Sequence, residues 1–237
     1  MTDRRDQRRL AAILAADVVG YSRLMAGDES GTVAALRSRW KDVLTPTVAR
    51  HRGRVVKVMG DGVIVEFASA VDAVECALGL QLGFTNANTD QPADRHITLR
   101  IGINLGDVIV QGSDLYGDGV NIAARLEAIA EPGGICVSAA VHEQTRGKLA
   151  AAFDPLGPQT LKNIAQPVQV FRVTPVEGGR EMRINGRDGG AAIRAANLYS
   201  KVAGGQIEFY ALLAADGSAV KNGQLVLRNF EVRNEAA

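Results

Sequence analysis

The sequence RVVKVMGDGVIVEF at residues 54–67 contains two runs rich in β-branched residues, 54–59 and 63–67. The two runs are joined at Gly60-Asp61-Gly62, residue types that readily adopt the backbone angles of a tight turn. Apolar, β-branched runs on both sides of such a turn are typical of a β-hairpin. The stretch therefore predicts a hairpin with Asp61 at its tip.

Further strands and helices are predicted on both sides of the hairpin. Residues 10–19, LAAILAADVV, fit a strand buried on both faces, and helical spacing follows over residues 22–50. After the hairpin, residues 69–86 again show helical spacing, and residues 97–110 predict a strand broken by Gly106. The order β-α-β-β-α-β is that of an α+β, ferredoxin-like βαββαβ core, with an antiparallel sheet and helices on one face.

The chain divides into three predicted regions. Residues 1–9 are an N-terminal tail and residues 10–175 form the main domain. Residues 176–237 hold nine of the 26 glycines and two β-like runs, 207–213 and 225–232. This Gly-rich extension predicts a hairpin docked on the main domain, an oligomer contact or a partly ordered tail.

Charge and composition exclude several functional classes. The chain has 27 Lys and Arg residues against 26 Asp and Glu residues, and aromatic residues are only 5% of the total. A near-neutral chain gives no electrostatic basis for binding nucleic acid or a membrane surface, and few aromatics argue against base stacking. Cys76 and Cys136 lie in apolar sequence and predict buried thiols of a reducing compartment. We expect a cytoplasmic protein that binds no nucleic acid.

The N-terminus resembles a signal peptide at first sight, because four arginines precede an apolar run. That run, Leu10 to Ala16, is at the short end for a signal peptide and is stopped by Asp17. It is also far below the roughly 20 residues that cross a bilayer. A buried strand that ends in a carboxylate is the better interpretation, and no membrane span is expected.

Two stretches could bind a charged ligand. Asp17 ends the first strand, and a glycine turn into a helix follows at once. A carboxylate there suits a divalent cation and a helix start suits phosphate oxygens, although an aspartate before a helix is more often a cap. In the hairpin, Lys57 and Asp61 lie on one face because strand side chains alternate. The alternative is that Asp61 is a turn residue and Lys57 a solvated edge lysine.

A third stretch, residues 114–125, reads DLYGDGVNIAAR. Asn121 and Arg125 are four residues apart in a predicted helix over 119–130, so they share one face. An amide and a guanidinium on one face can hold a hydroxyl and a phosphoryl group, or they can be an ordinary exposed face. Lys162, which precedes a predicted strand, is by itself typical of a surface lysine.

Together these stretches resemble the class III nucleotidyl cyclases, over about residues 8–175. The family pattern D-[IVL]-[VS]-G-[FY]-[ST] stands here as DVVGYS at 17–22. The pattern K-x-x-G-D stands as KVMGD at 57–61, and D-x-[WY]-G-x-x-[VI]-N-x-A-x-R stands as residues 114–125. So many fixed positions in the right order do not match by chance. The resemblance implies the class III nucleotidyl cyclase fold and a catalytic domain over 10–175.

The resemblance implies a role for each matched residue. Asp17, Asp61 and the backbone carbonyl of Val18 would hold two Mg²⁺ or Mn²⁺ ions per active site. Arg125 would stabilise charge on the α-phosphoryl group, and Asn121 would orient the ribose. The triphosphate would be bound by backbone amides around Gly20, Tyr21 and Ser22. Lys162 would contact its terminal phosphates.

The base would be selected by Lys57 and Asp114. A lysine donor and an aspartate acceptor complement N1 and N6 of adenine, whereas guanine presents the opposite polarity. The resemblance therefore implies an adenylate cyclase that converts ATP to cyclic AMP and pyrophosphate by in-line attack of the ribose 3′-hydroxyl.

In this family one subunit supplies the metal and base residues of a site, and its partner supplies the Asn and Arg. The chain carries both sets, which implies a head-to-tail homodimer with sites at the interface. A non-catalytic, nucleotide-binding regulatory domain is the main alternative. A diguanylate cyclase fits less well, because its Gly-Gly-acidic hairpin signature is replaced here by Met59-Gly-Asp-Gly. A purely structural module would leave four residues jointly unexplained: Lys57, Asp61, Asn121 and Arg125.

Overall fold

The computed structural model describes the backbone of residues 7–112, 114–175, 181–184, 191–203, 206–215 and 218–219. The chain forms two units, Met1–Pro175 and Val176–Ala237. Strands of the first unit are β1 (Gln7–Val18), β2 (Arg54–Met59), β3 (Gly62–Phe67), β4 (Leu99–Gln111), β5 (Asp114–Tyr116), β6 (Ile135–Ser138), β7 (Ala151–Gln159) and β8 (Val168–Pro175). Its helices are α1 (Tyr21–Gly27), α2 (Glu29–Arg39), α3 (Thr45–Arg50), α4 (Ala70–Asn88), α5 (Asp118–Ile129) and α6 (Ala139–Thr145).

One sheet runs through the first unit in the order β2-β3-β1-β4-β6-β8-β7, with β5 paired to β4. β1 is antiparallel to both β3 and β4, and β2 is antiparallel to β3. The predicted α+β fold with a βαββαβ core is confirmed. The one parallel pair in this sheet, β4 with β6, lies outside that core.

Helices cover both faces of the sheet, whereas the sequence predicted one face. Leu14 and Phe67 lie in the apolar cluster that contains the buried apolar residues of α2, α3 and α4. Ile13 and Val108 point to the opposite face, where Ala123 of α5 packs against them. The two helical segments of the core share one face as expected, and α5, which follows the core, covers the other.

Three local predictions differ from the structure. β1 begins at Gln7 rather than at residue 10, and β4 continues through Gly106, which pairs with Ala11 of β1. The helical region after β1 is interrupted at Asp28, whose backbone is non-helical and whose side chain caps α2 by accepting from the backbone N–H of Gly31. A π-helical turn, Trp40–Leu44, then links α2 to α3.

The second unit contains β9 (Glu181–Ile184), β10 (Ala191–Ala203), β11 (Gln206–Ala215) and β12 (Ser218–Ala219). They are antiparallel neighbours in the order β12-β11-β10-β9. β11 covers the predicted β-run 207–213, while the predicted run 225–232 and residues 1–6 lie outside the described residues. None of the helices in the described part of the chain combines the length and apolar character that crossing a bilayer requires.

Candidate active site

Asp17 and Asp61 lie together at one end of the central strands. Ala16 of β1 pairs with Val63 of β3, which brings Asp17 beside Gly62, the residue after the hairpin tip. A Cβ atom at Gly62 would lie 3.9 Å from Asp17 Oδ1. Burial, followed by hydrogen bonding and charge from Asp17, raises the pKa of Asp61 above its ordinary value. Besides burial, the raised pKa of Asp61 reflects a negative potential beside Asp17 that favours a bound cation.

The chain leaves Asp17 through a turn that starts α1. The backbone N–H of Val18 donates to Asp17 Oδ1 at 2.9 Å, which orients the carboxylate. Gly20 has φ +64, a left-handed conformation that favours glycine. Tyr21 and Ser22 are the first residues of α1, so their N–H groups have no acceptor within the helix. These groups and the carboxylate of Asp17 lie within one short stretch of chain.

Arg100 and Glu127 adjoin the two aspartates, and no sequence motif pointed to either residue. Arg100 of β4 is the register partner of Asp17, and its Nη2 lies 3.3 Å from Asp17 Oδ2. Its Nε lies 3.2 Å from Oε1 of Glu127 on α5. Burial raises the pKa of Glu127 to about 7; Arg100 lowers it, and the two aspartates raise it further. The available signal was a charged residue, Arg100, between the buried apolar residues Leu99 and Ile101 of β4.

Lys57 of β2 and Asp114 of β5 contact each other although their strands are not neighbours in the sheet. Lys57 Nζ of β2 lies 3.4 Å from Oδ2 of Asp114, the first residue of β5. The hydroxyl of Tyr116 lies 3.3 Å from the same oxygen. Lys57 is half exposed and Asp114 about one-third exposed, so a ligand can reach both. The pair offers an ammonium donor next to a carboxylate acceptor.

Asn121 and Arg125 lie on α5, and Arg125 Nε donates to the backbone carbonyl of Lys162 at 3.3 Å. α5 sits directly on β4 because Gly102 has no side chain: a Cβ there would lie 2.1 Å from the backbone N of Glu127. In the described part of the chain, no hydrogen bond or ion pair joins Arg125 to Asp17 or Asp61. Within this chain, Arg125 therefore has no direct polar contact with the two aspartates among the described residues.

Oxygen atoms near Asp17 and Asp61 offer ligands for a hard divalent cation. No group of three or more His, Cys, Asp or Glu side chains that could hold a metal occurs among the described residues. Asp17 and Asp61 supply two carboxylates, and the carbonyl of Val18 is adjacent in sequence. Mg²⁺ commonly binds through one or two carboxylates and completes its shell with water and substrate phosphates. The residues present fit such an ion when a nucleotide supplies further oxygens.

Comparisons with known proteins agree with the fold. Residues 5–174 match the family model for the adenylate and guanylate cyclase catalytic domain. The chain is 55% identical over 175 residues to "Putative adenylate cyclase 3" of Rhizobium meliloti (strain 1021), covering 74% of this chain and 30% of that protein. It is 34% identical over 137 residues to an adenylate cyclase of Streptomyces coelicolor, covering 58% of this chain and 34% of that protein. The chain thus spans about a third of the length of these two relatives.

Solved structures show the same architecture. The crystal structure of an adenylate/guanylate cyclase/hydrolase from Silicibacter pomeroyi has a TM-score of 0.68 and 43% identity, covering 72% of this chain and 99% of that chain. An adenylyl cyclase from P. aeruginosa, at 21% identity and a TM-score of 0.63 over 72% of this chain and 96% of that chain, shares the fold. Because the family match spans residues 5–174 of 237, the chain belongs to the class III adenylate and guanylate cyclase family.

Proposed function

We propose that the chain is an adenylate cyclase that converts ATP to 3′,5′-cyclic AMP and pyrophosphate. The observation that carries the proposal is the contact of Lys57 Nζ with Asp114 Oδ2 at 3.4 Å. Adenine presents an acceptor at N1 and an amino donor at N6, which a lysine and an aspartate side by side can satisfy. Guanine in the same position presents an acceptor at O6 and a donor at N1, so both hydrogen bonds would be mismatched there. The Rhizobium and Streptomyces relatives, named as adenylate cyclases, support the same substrate.

Asp17 and Asp61, with the carbonyl of Val18, would hold two Mg²⁺ or Mn²⁺ ions. Such ions would lower the pKa of the ribose 3′-hydroxyl and would neutralise negative charge on the pyrophosphate. The 3′-oxygen bonds to the α-phosphorus as the bond to the pyrophosphate oxygen breaks in line, and the 3′ proton passes to water. The proximity of Asp17 and Asp61 and the raised pKa of Asp61 support this assignment.

The remaining residues would bind and orient the nucleotide. Arg125 would stabilise negative charge on the α-phosphoryl group, since a guanidinium fits two phosphoryl oxygens. Asn121, four residues earlier on the same helix, would orient the ribose. Lys162 would contact the terminal phosphates, and its carbonyl already holds Arg125. The amides at Gly20, Tyr21 and Ser22 would bind the triphosphate.

The active sites would be shared across a head-to-tail homodimer. Asp17 and Asp61 belong to one set of residues, and Asn121 and Arg125 to another with no direct link to them in the described residues. A partner copy would bring its Arg125 to the aspartates, giving two equivalent sites.

The deciding experiment incubates the purified chain with ATP or GTP and Mg²⁺ or Mn²⁺ and measures the cyclic product. Two mismatched hydrogen bonds at about 1–3 kcal/mol each predict a preference for ATP of about thirtyfold or more. Equal rates for both nucleotides would contradict the choice of base, and ATP binding without cyclic AMP would indicate a regulatory domain.

Subunit sharing is tested by mixing two inactive variants. Arg125→Ala and Asp17→Ala should each abolish turnover while leaving the dimer intact. A mixture with verified subunit exchange should regain one complete site in each heterodimer. No recovery would argue against shared sites. An equal mixture of Arg125→Ala with wild type serves as the matched control for exchange.

A further inference from the structure

Arg100 lies between the carboxylate proposed to bind metal and a second, more buried carboxylate. Its Nη2 is 3.3 Å from Asp17 Oδ2, and its Nε is 3.2 Å from Glu127 Oε1. Asp17 and Arg100 are each about one-third exposed, whereas the Glu127 side chain is 13% exposed. The guanidinium therefore contacts one carboxylate that solvent can reach and one that is almost enclosed.

The contact with Asp17 occupies one of the two carboxylate oxygens that a divalent cation could bind. Val18 N–H already binds Oδ1, so Arg100 occupies the other oxygen, Oδ2. A positive side chain at this point also repels any cation that approaches Asp17 and Asp61. Without a bound cation, the same side chain neutralises part of the local negative charge.

Glu127 provides Arg100 with an alternative partner. Its carboxylate comes from α5, whose backbone is held against β4 by the close approach at Gly102. Among the described residues, Arg100 Nε and Glu127 Oε1 are buried and near each other but lack the alignment of a hydrogen bond. The guanidinium thus has a better-aligned contact to form with Glu127 if it leaves Asp17.

We propose that Arg100 is the internal counter-ion of the metal site and a positioning residue for it. It neutralises Asp17 while no divalent cation is bound, and Glu127 draws it away when a cation takes its place. This inference rests on the proposed metal-binding role of Asp17 and Asp61. Its consequence is that metal affinity without nucleotide is held low by one side chain.

The inference predicts effects of opposite sign for two neighbouring substitutions. Arg100→Gln removes the competing charge and should raise Mn²⁺ affinity on the order of tenfold, the lower end of what a nearby unit charge does to ionisation. Glu127→Gln removes the alternative partner and should lower the affinity. Arg100→Lys, which keeps the charge, should leave the affinity near that of the wild type.

The measurement is Mn²⁺ binding to the full chain without nucleotide, followed by electron paramagnetic resonance of the free ion. It is done at about pH 8, where Glu127 is ionised because its pKa is about 7. Arg172→Gln is the matched control, since Arg172 pairs with Glu131 at 3.4 Å elsewhere on the sheet. The effect of Glu127→Gln should be smaller in the Arg100→Gln background, because part of it acts through Arg100.

The outcomes separate this inference from the proposed function. If Asp17→Asn leaves Mn²⁺ binding unchanged, the metal assignment itself is wrong. If Asp17→Asn abolishes binding while Arg100→Gln lowers affinity or leaves it unchanged, the counter-ion role is overturned. If Arg100→Gln does not fold, Glu127→Gln still tests the counter-ion role. An unchanged Mn²⁺ affinity in Glu127→Gln would overturn that role for Arg100.

Discussion

Gly102→Ala would place a methyl group against the backbone of α5. The added Cβ would lie 2.1 Å from the backbone N of Glu127, 2.2 Å from the carbonyl oxygen of Ala123 and 2.7 Å from the carbonyl carbon of Leu126. Carbon atoms normally stay about 3.5–4.0 Å from their neighbours, so the helix would have to move away by more than 1 Å. These are main-chain atoms, and no side-chain rotation relieves the overlap.

Overpacking lowers the free energy of unfolding by about 1–3 kcal/mol and sometimes more. Because rigid backbone cannot relieve this overlap, we expect a loss of about 3 kcal/mol for Gly102→Ala. At roughly 2–4 °C per kcal/mol for a domain of this size, the melting temperature should fall by about 6–12 °C. Turnover should fall as well, because α5 carries Asn121 and Arg125. Thermal unfolding followed by circular dichroism, together with urea titration, measures the first effect.

Gly27→Ala is the matched control, since a Cβ at Gly27 meets no atom within 4 Å. It should leave the melting temperature unchanged or slightly raised, because alanine favours helix more than glycine does. A melting temperature for Gly102→Ala within about 2 °C of wild type would refute the argument from close packing.

Further predictions concern buried polar and ionisable groups. Asn88→Ala should lower the free energy of unfolding, measured by urea titration, by about 2–4 kcal/mol. The reason is that the Asn88 side chain accepts from the N–H of buried Ile97 and donates to its carbonyl. A loss under about 1 kcal/mol would contradict this. Cys76 and Cys136 should resist a thiol reagent at about pH 8 until the chain unfolds, since burial raises the pKa of Cys76 to about 12 and that of Cys136 to about 11; rapid labelling of the native chain would be inconsistent. The pKa of Glu127 is raised from 4.5 to about 7, so between these values the folded, metal-free protein keeps a proton that the unfolded chain has lost, and stability should fall as pH rises. The urea midpoint should change less with pH in Glu127→Gln than in the wild type. An unchanged slope would show that another group dominates the pH dependence.

Local sequence patterns predicted the helices and strands but not all of the residues at which they begin and end. The hairpin around Asp61 was predicted because glycine and aspartate at a tip, between β-branched runs, encode a turn within a few residues. Helical spacing predicted a helical region over residues 22–50, and that region is broken at Asp28. An aspartate inside a helical pattern can be exposed or can cap a new helix, and the surrounding packing decides which.

The candidate site shows the same division. Asp17, Asp61, Asn121 and Arg125 were identified as a set because their spacing matches a family pattern, and their roles stay predictions. Arg100 was missed because one arginine in a strand has no distinctive spacing. Its relation to Asp17 arises from the register of β1 on β4, which joins residues 83 positions apart.

The sequence by itself determined which residues could do chemistry and which local elements carry them, because turns, strand alternation and helical spacing act over a few residues. Tertiary structure alone decided that Lys57 meets Asp114, that α5 covers the second face of the sheet, and that Arg100 stands between Asp17 and Glu127. Those contacts depend on strand register and on the close packing of α5 against Gly102. Both result from packing the whole domain at once.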